Sequence, residues 1–460
     1  MALEELSIAR SRCLEELSAA LREAEERYAA ANPVSGELFG NACRYLPGGN
    51  TRATVYFAPF PLTLARAEGA NLWDADGNVY LDFLGDYTAD VYGHNPEMLD
   101  RILAAVRKVG ISLSGPTEYE ARLSALICER IPSCEQVRFC NSGTEANIYA
   151  TTLARRFTGR ETILVFDGGY HGGALVFEGQ GPLNIQIKHI RATYNDIEGT
   201  RARIREAAGD LAAVVLEPMM GAAGCIPADL TFLQMLREET ERLGILLIFD
   251  EVMNSRLAPN GLQGFYGIRP DLTTLGKYMG GGFSFGAFGG RADVMALLDI
   301  RNPGALPHSG TFCNNVTSMI GGTIGLSHYY TPEACIAVNE RGARLRSDLN
   351  EMARGRDVPV FVSGLGGVMN LHFGTRPLRS PADIPEKMSA GGPSAAPTYQ
   401  LRRLLHLHLL AAGFYTASRG LITISMAIRD AHVADLKQAI EAFFDRHDAL
   451  IRKVVAEFAS

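Results

Sequence analysis

Apolar residues near the start of this chain recur at helical spacing: Leu3, Leu6, Leu14, Leu17, Leu21, Ala24 and Tyr28 share one face, and Pro33 follows. The pattern predicts an amphipathic helix over about 3–28. Its polar face is acidic and lacks the Lys and Arg of an interfacial helix, so packing on the body or on a partner subunit is expected rather than on a membrane. Pro47-Gly48-Gly49-Asn50 reads as a turn, and 70–81 as two short strands around Gly77, a small hairpin. Between about His94 and Leu326 apolar strands at 136–140, 162–166, 212–216, 245–250 and 272–275 alternate with helical stretches. That alternation predicts a largely parallel sheet with helices on both faces, whose active site lies at the carboxyl ends of the strands.

Past Tyr330 the pattern gives a helical stretch through Arg346, a strand at 368–373 and a Gly-, Ser-, Pro- and Ala-rich loop from Pro385 to Pro397. A helix at 400–412, a strand at 421–426 and a last helix over about 433–458 follow. The expected organisation is α/β in three segments. Residues 1–93 carry the first helix and hairpin, 94–326 form the large domain, and 327–460 join the first segment in a smaller α+β domain. No internal repeat is present.

A chain of 460 residues exceeds what one hydrophobic core usually supports. An apolar share of 47% with 21% charged residues matches a globular enzyme, and no apolar run approaches the roughly 18 residues of a membrane span. The net charge of −7 comes with scattered Lys and Arg, which argues against nucleic-acid binding. Eight cysteines without a C-x-x-C pair indicate neither a zinc ribbon nor a disulfide framework, and no metal site is expected. Reduced thiols, and a start too acidic for a signal or transit peptide, make the cytoplasm the expected compartment.

Candidate chemistry sits at the strand ends. After the strand ending at Cys140 comes Asn141-Ser142-Gly143-Thr144-Glu145-Ala146, opening a helix with Ala146, Ala150, Leu153 and Phe157 on one face. Unpaired amides at a helix start, a permissive glycine and two hydroxyls suit a phosphate, with Ser142, Gly143 and Thr144 as the candidates. The same residues also suit an ordinary capped helix. Gly168-Gly169-Tyr170-His171-Gly172-Gly173 follows the strand ending at Phe166. Its glycines permit close backbone approach, and Tyr170 is flat enough to lie on an aromatic ring. Glu217 ends another apolar strand and can orient a ligand or the backbone, or form a structural ion pair.

Asp250 ends the apolar run Leu246-Leu247-Ile248-Phe249, and Lys277 in Thr-Thr-Leu-Gly-Lys follows 27 positions later (277 minus 250). A strand-end carboxylate beside a pyridine nitrogen favours its protonated form, and a lysine can join the aldehyde of the same cofactor and later act as base. This pairing is what pyridoxal 5′-phosphate requires. Val252 can cover the ring face opposite Tyr170. A magnesium site at Asp250 would call for a G-x-x-x-x-G-K loop, which is absent. The glycines at 280–282, 286, 289 and 290 only weakly resemble a dinucleotide motif.

Taken together, Ser-Gly-Thr-Glu-Ala, Tyr-His-Gly, Glu-Pro, Asp-Glu-Val and the lysine, in that order, resemble the class III (subgroup II) aminotransferases of fold type I. The resemblance runs from about Ala42 to the C-terminus and implies a mostly parallel seven-stranded sheet in the large domain. It also implies that His171 belongs to the cofactor site, and that Thr311, in His308-Ser309-Gly310-Thr311-Phe312, reaches the cofactor phosphate of the other subunit of a homodimer with shared active sites.

Two branches compete. Glutamate-1-semialdehyde 2,1-aminomutases share Pro47-Gly48-Gly49-Asn50 and Asp250-Glu251-Val252-Met253, but their usual stretches are replaced at 51–56, 84–88 and 311–315. Bacterial β-phenylalanine aminotransferases are similar at Arg44–Gly48, Tyr56–Thr63, Tyr87–Ala89, Ser255–Pro259 and Leu275–Tyr278. That second resemblance implies two carboxylate-binding arginines, Arg44 and Arg419, with the apolar group of the donor near Tyr87 or Val55. The expected reaction moves an amino group from an aromatic β-amino acid to an oxo acid such as 2-oxoglutarate or pyruvate. The rivals are the intramolecular aminomutase reaction and a non-catalytic cofactor-binding scaffold.

Overall fold

The structure, a computed structural model, describes residues 2–177, 183–384 and 396–459. Contacts divide the chain into two compact units. The large unit is Asp86–Glu340 with Arg379–Ala382, and the small unit is Met1–Gly85, Arg341–Leu378 and Asp383–Ser460. The sequence expectation placed the boundaries at 93/94 and 326/327.

The large unit is built on seven strands, β1 (Gln136–Cys140), β2 (Thr162–Phe166), β3 (His189–Ala192), β4 (Leu211–Leu216), β5 (Leu246–Asp250), β6 (Leu272–Gly276) and β7 (Gly286–Gly290). Their order across the sheet is β1-β7-β6-β5-β4-β2-β3. Every pairing from β6 to β3 is parallel, and β7 runs against both of its neighbours. The sheet is therefore mostly parallel, as expected. Strands β2, β4, β5 and β6 are buried at every position, which is why β2, β4 and β5 read as nearly continuous apolar runs instead of alternating ones. Helix Gly143–Thr158 presents Ala146, Ala150, Leu153 and Ala154 to Val165, Val215, Ile248 and Phe288 of the sheet in one core. Phe157 departs from the expected face: it is 36% exposed, and its ring lies under the Arg291 guanidinium at 5.7 Å.

Strands β3 and β7 escape the sequence pattern. β3 is a partly exposed edge strand with no apolar run. β7 is the glycine-rich stretch likened above to a dinucleotide motif, and its glycines have a packing reason. A Cβ at Gly286 would lie 2.1 Å from Ser142 O, one at Gly289 2.6 Å from Gln136 O, and one at Gly290 2.2 Å from Asp271 O. At these three positions only glycine fits between β1 and β6.

In the small unit, helix Ala2–Ala31 packs on helices Pro397–Ala411 and Asp430–Phe458. The expected hairpin is present as Asn71–Asp74 paired antiparallel with Val79–Asp82, extended by Leu64–Glu68 and Phe414–Tyr415 to a four-stranded sheet. A three-stranded antiparallel sheet joins Val360–Leu365, Val368–Phe373 and Leu421–Thr423. Of the expected loop from Pro385 to Pro397, residues 385–395 lie outside the described residues, and Pro397 already opens a helix. Among the described residues no helix is long and apolar enough to cross a membrane.

Candidate active site

Parallel register sets the centre of the site. Asp250, the last residue of β5, is paired with Thr274 of β6, so Lys277 emerges one residue past the end of the adjacent strand. Asp250 is buried and accepts three hydrogen bonds, from Asn147 Nδ2 at 2.8 Å, His171 Nδ1 at 2.8 Å and Val252 N at 3.0 Å. Burial by itself would lower the basicity of His171, but the hydrogen bond to Asp250 and the negative charges of Asp250 and Glu217 outweigh it and raise the imidazole above its ordinary range. Asn147 is a hub: its Nδ2 also reaches Gly143 O at 3.1 Å and His171 O at 3.2 Å, while its Oδ1 accepts from Thr274 Oγ1 at 2.9 Å. One amide thus ties the helix start, the tyrosine loop, the acid and the strand leading to the lysine.

Helix Gly143–Thr158 begins at the end of β1, with Ser142 as its cap. Ser142 Oγ accepts from Glu145 N at 3.2 Å, and Glu145 Oε2 accepts from Asn141 N at 2.9 Å. Capping uses the Ser142 lone pair and leaves its O–H to donate, while helix geometry leaves the amides of Gly143 and Thr144 without an intrahelical acceptor. The loop after β2 closes on this end, because a Cβ at Gly172, where φ is +116°, would lie 2.1 Å from Thr144 Oγ1. Val252 wedges against the other side: a Cβ at Gly143 would stand 2.8 Å from Val252 Cγ1, and one at Gly276 3.1 Å from the same atom.

Lys277 is half-buried with φ at +55°, an uncommon backbone for a residue with a side chain. Its Nζ donates to the carbonyl of Tyr87. That carbonyl lies in a left-handed turn in which Asp86, Tyr87 and Thr88 have φ of +44°, +54° and +77°. Each such residue costs about 1–2 kcal/mol, so the turn has to be held by its surroundings. The buried Arg256 contributes, donating from Nη1 to Thr88 O at 3.3 Å.

Glu217, buried at the end of β4, binds backbone rather than side chains. Its two oxygens accept from Tyr170 N at 3.2 Å and Gly221 N at 3.0 Å, which fixes the loop carrying Tyr170. Tyr170 itself is 42% exposed. Ser142, Gly143, Thr144, Tyr170, His171, Glu217, Asp250, Val252, Lys277, Tyr87 and Thr311 all lie in the large unit, and all but Thr311 belong to the strand-end network just described or to its flanking loops. Thr311 is exposed, in a patch of the same unit with Ile111, Leu113 and Phe312. Arg44, Val55 and Arg419 belong to the small unit.

The family model for class-III aminotransferases matches residues 54–392. The chain belongs to that family. It is 49% identical over 434 residues to a β-phenylalanine transaminase of Variovorax paradoxus, covering 94% of this chain and 97% of that one. The solved β-phenylalanine aminotransferase from Variovorax paradoxus superposes with a TM-score of 0.90, also at 49% identity, over 94% of this chain and 99% of the other. A transaminase solved with PLP bound gives a TM-score of 0.80 at 29% identity, over 93% and 99% of the two chains. A glutamate-1-semialdehyde 2,1-aminomutase of Heliobacterium modesticaldum is more distant, 38% identical over 364 residues, covering 75% of this chain and 83% of that one. The fold is that of the fold-type I enzymes, and the cofactor of this class-III aminotransferase is pyridoxal 5′-phosphate.

The residues present fit that group. The helix start offers amides and a hydroxyl proton to a phosphate, two glycines keep the approach open where a Cβ would collide, and a buried carboxylate and a lysine stand on adjacent strands. Sequence reasoning passed over Asn147 and Glu251. Asn147 carried a signal, being the one amide among the alanines on the buried face of its helix. Glu251 accepts from Leu262 N at 2.7 Å, Gln263 N at 2.9 Å and Gln263 Nε2 at 3.1 Å, and so anchors the segment after β5.

Burial, reinforced by the Asp250 charge and opposed by those hydrogen bonds, pushes Glu251 up to about 7 from an ordinary 4.5. Because the folded value lies above the unfolded one, its contribution to stability is complete below about pH 4.5 and is lost as pH rises through about 7. Glu251→Gln, which mimics the protonated acid, is therefore expected to gain roughly 2–4 kcal/mol relative to the parent between pH 4.5 and pH 8. Urea unfolding of both proteins across that range measures it; a stability difference that stays flat with pH refutes the assignment.

Proposed function

We propose that this class-III aminotransferase moves the amino group of a β-amino acid with an aromatic or other apolar substituent to a 2-oxo acid such as 2-oxoglutarate or pyruvate. The supporting observation is the 49% identity, over 94% of the chain, to a β-phenylalanine transaminase. When bound, pyridoxal phosphate supplies an aldehyde for the substrate amine and an electron-accepting ring. The chain supplies position and proton transfer. Amides of Gly143 and Thr144 and the Ser142 hydroxyl hold the phosphate, and Asp250 sets its negative charge at the ring nitrogen. Tyr170 and Val252 flank the ring, His171 and Asn147 fix Asp250, and Glu217 fixes the Tyr170 loop.

Lys277 is the base. Its amine, held at the Tyr87 carbonyl, would take the proton from the substrate carbon that bears the amino group and carry it between carbon atoms. Arg44 and Arg419 bind substrate carboxylates, each through the planar fork that matches two oxygens. Tyr87 and Val55 line the space for the apolar group. The reading includes a cytoplasmic homodimer in which Thr311 completes the phosphate site of the opposite subunit. The eight free cysteines accord with a reducing compartment. Ile111 and Phe312, 68% and 53% exposed beside Thr311, accord with a covered surface.

A panel of β- and α-amino acids tests the proposal, each mixed with holoenzyme and followed by loss of the visible cofactor band. Aromatic β-amino acids are expected to discharge the band, and an oxo acid to restore it. If α-amino acids or simple amines discharge it while β-amino acids do not, the β-specific reading is wrong. Arg44→Ala and Arg419→Ala are each expected to raise KM for at least one carboxylate substrate by roughly 10- to 100-fold, as loss of a charge-assisted pair does.

A further inference from the structure

Lys277 opens a single 3₁₀ turn, Lys277–Gly280, whose other residues are buried. Its own backbone is left-handed, so its side chain keeps its aim only if the peptide that follows is held. Two contacts hold it. The carbonyl of Tyr278, one residue on, accepts from Gly281 N at 2.9 Å and from the Tyr92 hydroxyl at 2.9 Å. Helix Val316–Ile324 backs the same turn: a Cβ at Gly322 would lie 2.2 Å from Met279 O, and one at Gly325, just past the helix, 2.4 Å from the Tyr92 hydroxyl. Packing that close leaves the Tyr92 hydroxyl no room to swing away from the carbonyl.

The acceptor of the lysine amine is held by a second chain of contacts. Arg256 donates from Nη1 to Thr88 O at 3.3 Å, next to the Tyr87 carbonyl that receives Lys277 Nζ. The carbonyl of Arg256 in turn accepts from the Tyr330 hydroxyl at 2.7 Å and from Asn339 Nδ2 at 2.8 Å. Tyr330 joins the two arms. Its ring meets those of Tyr278 and Tyr92 in T-shaped contacts, with centroids 5.3 and 6.4 Å away. Arg130 fixes it in turn, donating to its carbonyl at 2.6 Å with the guanidinium 5.2 Å from the ring centre.

Both hydroxyls keep their protons and remain donors. Burial raises Tyr92 far above the ordinary phenol range, with Tyr278 adding to the effect and the Arg130 charge opposing it. Burial does the same to Tyr330, with Cys335 adding and the Arg256 charge opposing. All of these residues lie in the large unit.

We propose that Tyr92 and Tyr330 are positioning residues for proton transfer by Lys277, Tyr92 through the peptide that follows the lysine and Tyr330 through Arg256 and the turn that presents the Tyr87 carbonyl. The inference rests on Lys277 being the base, and it does not depend on which amino donor is used. A displaced proton carrier loses rate while the donor still binds, so the effect falls on kcat rather than on KM.

Tyr92→Phe and Tyr330→Phe delete one hydroxyl each. In stopped-flow reactions of the holoenzyme with β-phenylalanine, or with whichever donor the panel above selects, the saturating rate of band loss is expected to fall about tenfold in Tyr92→Phe and about threefold in Tyr330→Phe. Half-saturation should stay within about twofold of the parent. A donor deuterated at the carbon bearing the amine should show an isotope effect at least as large as in the parent, which marks proton transfer as the slowed step. Backbone amides of 277–281 should exchange with deuterium faster in Tyr92→Phe, with the thermal midpoint lowered by a few degrees at most. Should Tyr92→Phe not fold, the same readings on Tyr330→Phe decide. Parental rates in both variants, or a slowed rate whose isotope effect collapses toward unity, overturn the positioning role. Borohydride label on a lysine other than Lys277 overturns it together with the base it serves, whereas label at Lys277 with unchanged rates removes the positioning alone.

Discussion

Lys277→Ala is expected to lower kcat/KM by about 10⁴-fold or more, at or beyond the upper end of what one positioned proton carrier contributes. Lys277 is the one lysine set at the end of β6, adjacent in register to Asp250, and its left-handed backbone aims the side chain at the Tyr87 carbonyl. His171 and Asp250 are bonded to each other in the buried floor of the site, and Glu217 is held by the amides of Tyr170 and Gly221, so none of the three is placed to replace Lys277. Folding should survive, because the lysine contributes a tether rather than packing. Thermal melts close to the parent, turnover near background, and partial rescue by added small amines would together identify a lost base. Borohydride reduction of the parent should attach the cofactor to the peptide containing position 277. Label on any other lysine sinks the assignment.

Asp250→Asn is expected to reduce kcat by about 10³-fold, with cofactor still bound. The substitution preserves size but removes the charge, and it disturbs a carboxylate that accepts from three donors. An asparagine at this position would turn an N–H toward one of those donors. Asn147→Leu separates the two effects, since it keeps the carboxylate and removes one of its fixed partners. A loss of about tenfold in kcat is expected there, together with a displaced pH profile, because His171 and Asp250 are then held differently. If Asp250→Asn retains near-parental kcat, the carboxylate does not act on the ring and the electronic role given to it is wrong.

How much of this could be read from residues alone varied with the kind of signal. Strands buried on both faces write themselves as nearly unbroken apolar runs, so β2, β4 and β5 were legible, and with β5 the position of Asp250, while β1 and β6 showed as short, partly polar stretches between turn signals. The edge strand β3 carries no such run, and β7 consists largely of glycine, whose presence there reflects backbone-to-backbone packing that no periodicity encodes. Phe157 follows the helical spacing of Ala146 and Ala150 yet ends up under Arg291 near the surface, because the buried face of that helix narrows toward its last turn. Asn147 and Glu251 were hidden for another reason. Each does its work through groups distant in sequence, from Thr274 for the amide to Leu262 and Gln263 for the acid. The two arginines were reached by resemblance, since an exposed Arg44 and a half-buried Arg419 look, as sequence, like any surface cation.

The glycine strand constrains how this enzyme can vary over generations. Gly286 presses on the carbonyl of Ser142, so even one added methyl would displace the start of helix Gly143–Thr158 from beneath. Random mutagenesis scored for activity should find the glycines of β7 as unforgiving as Lys277, although their role is one of packing alone.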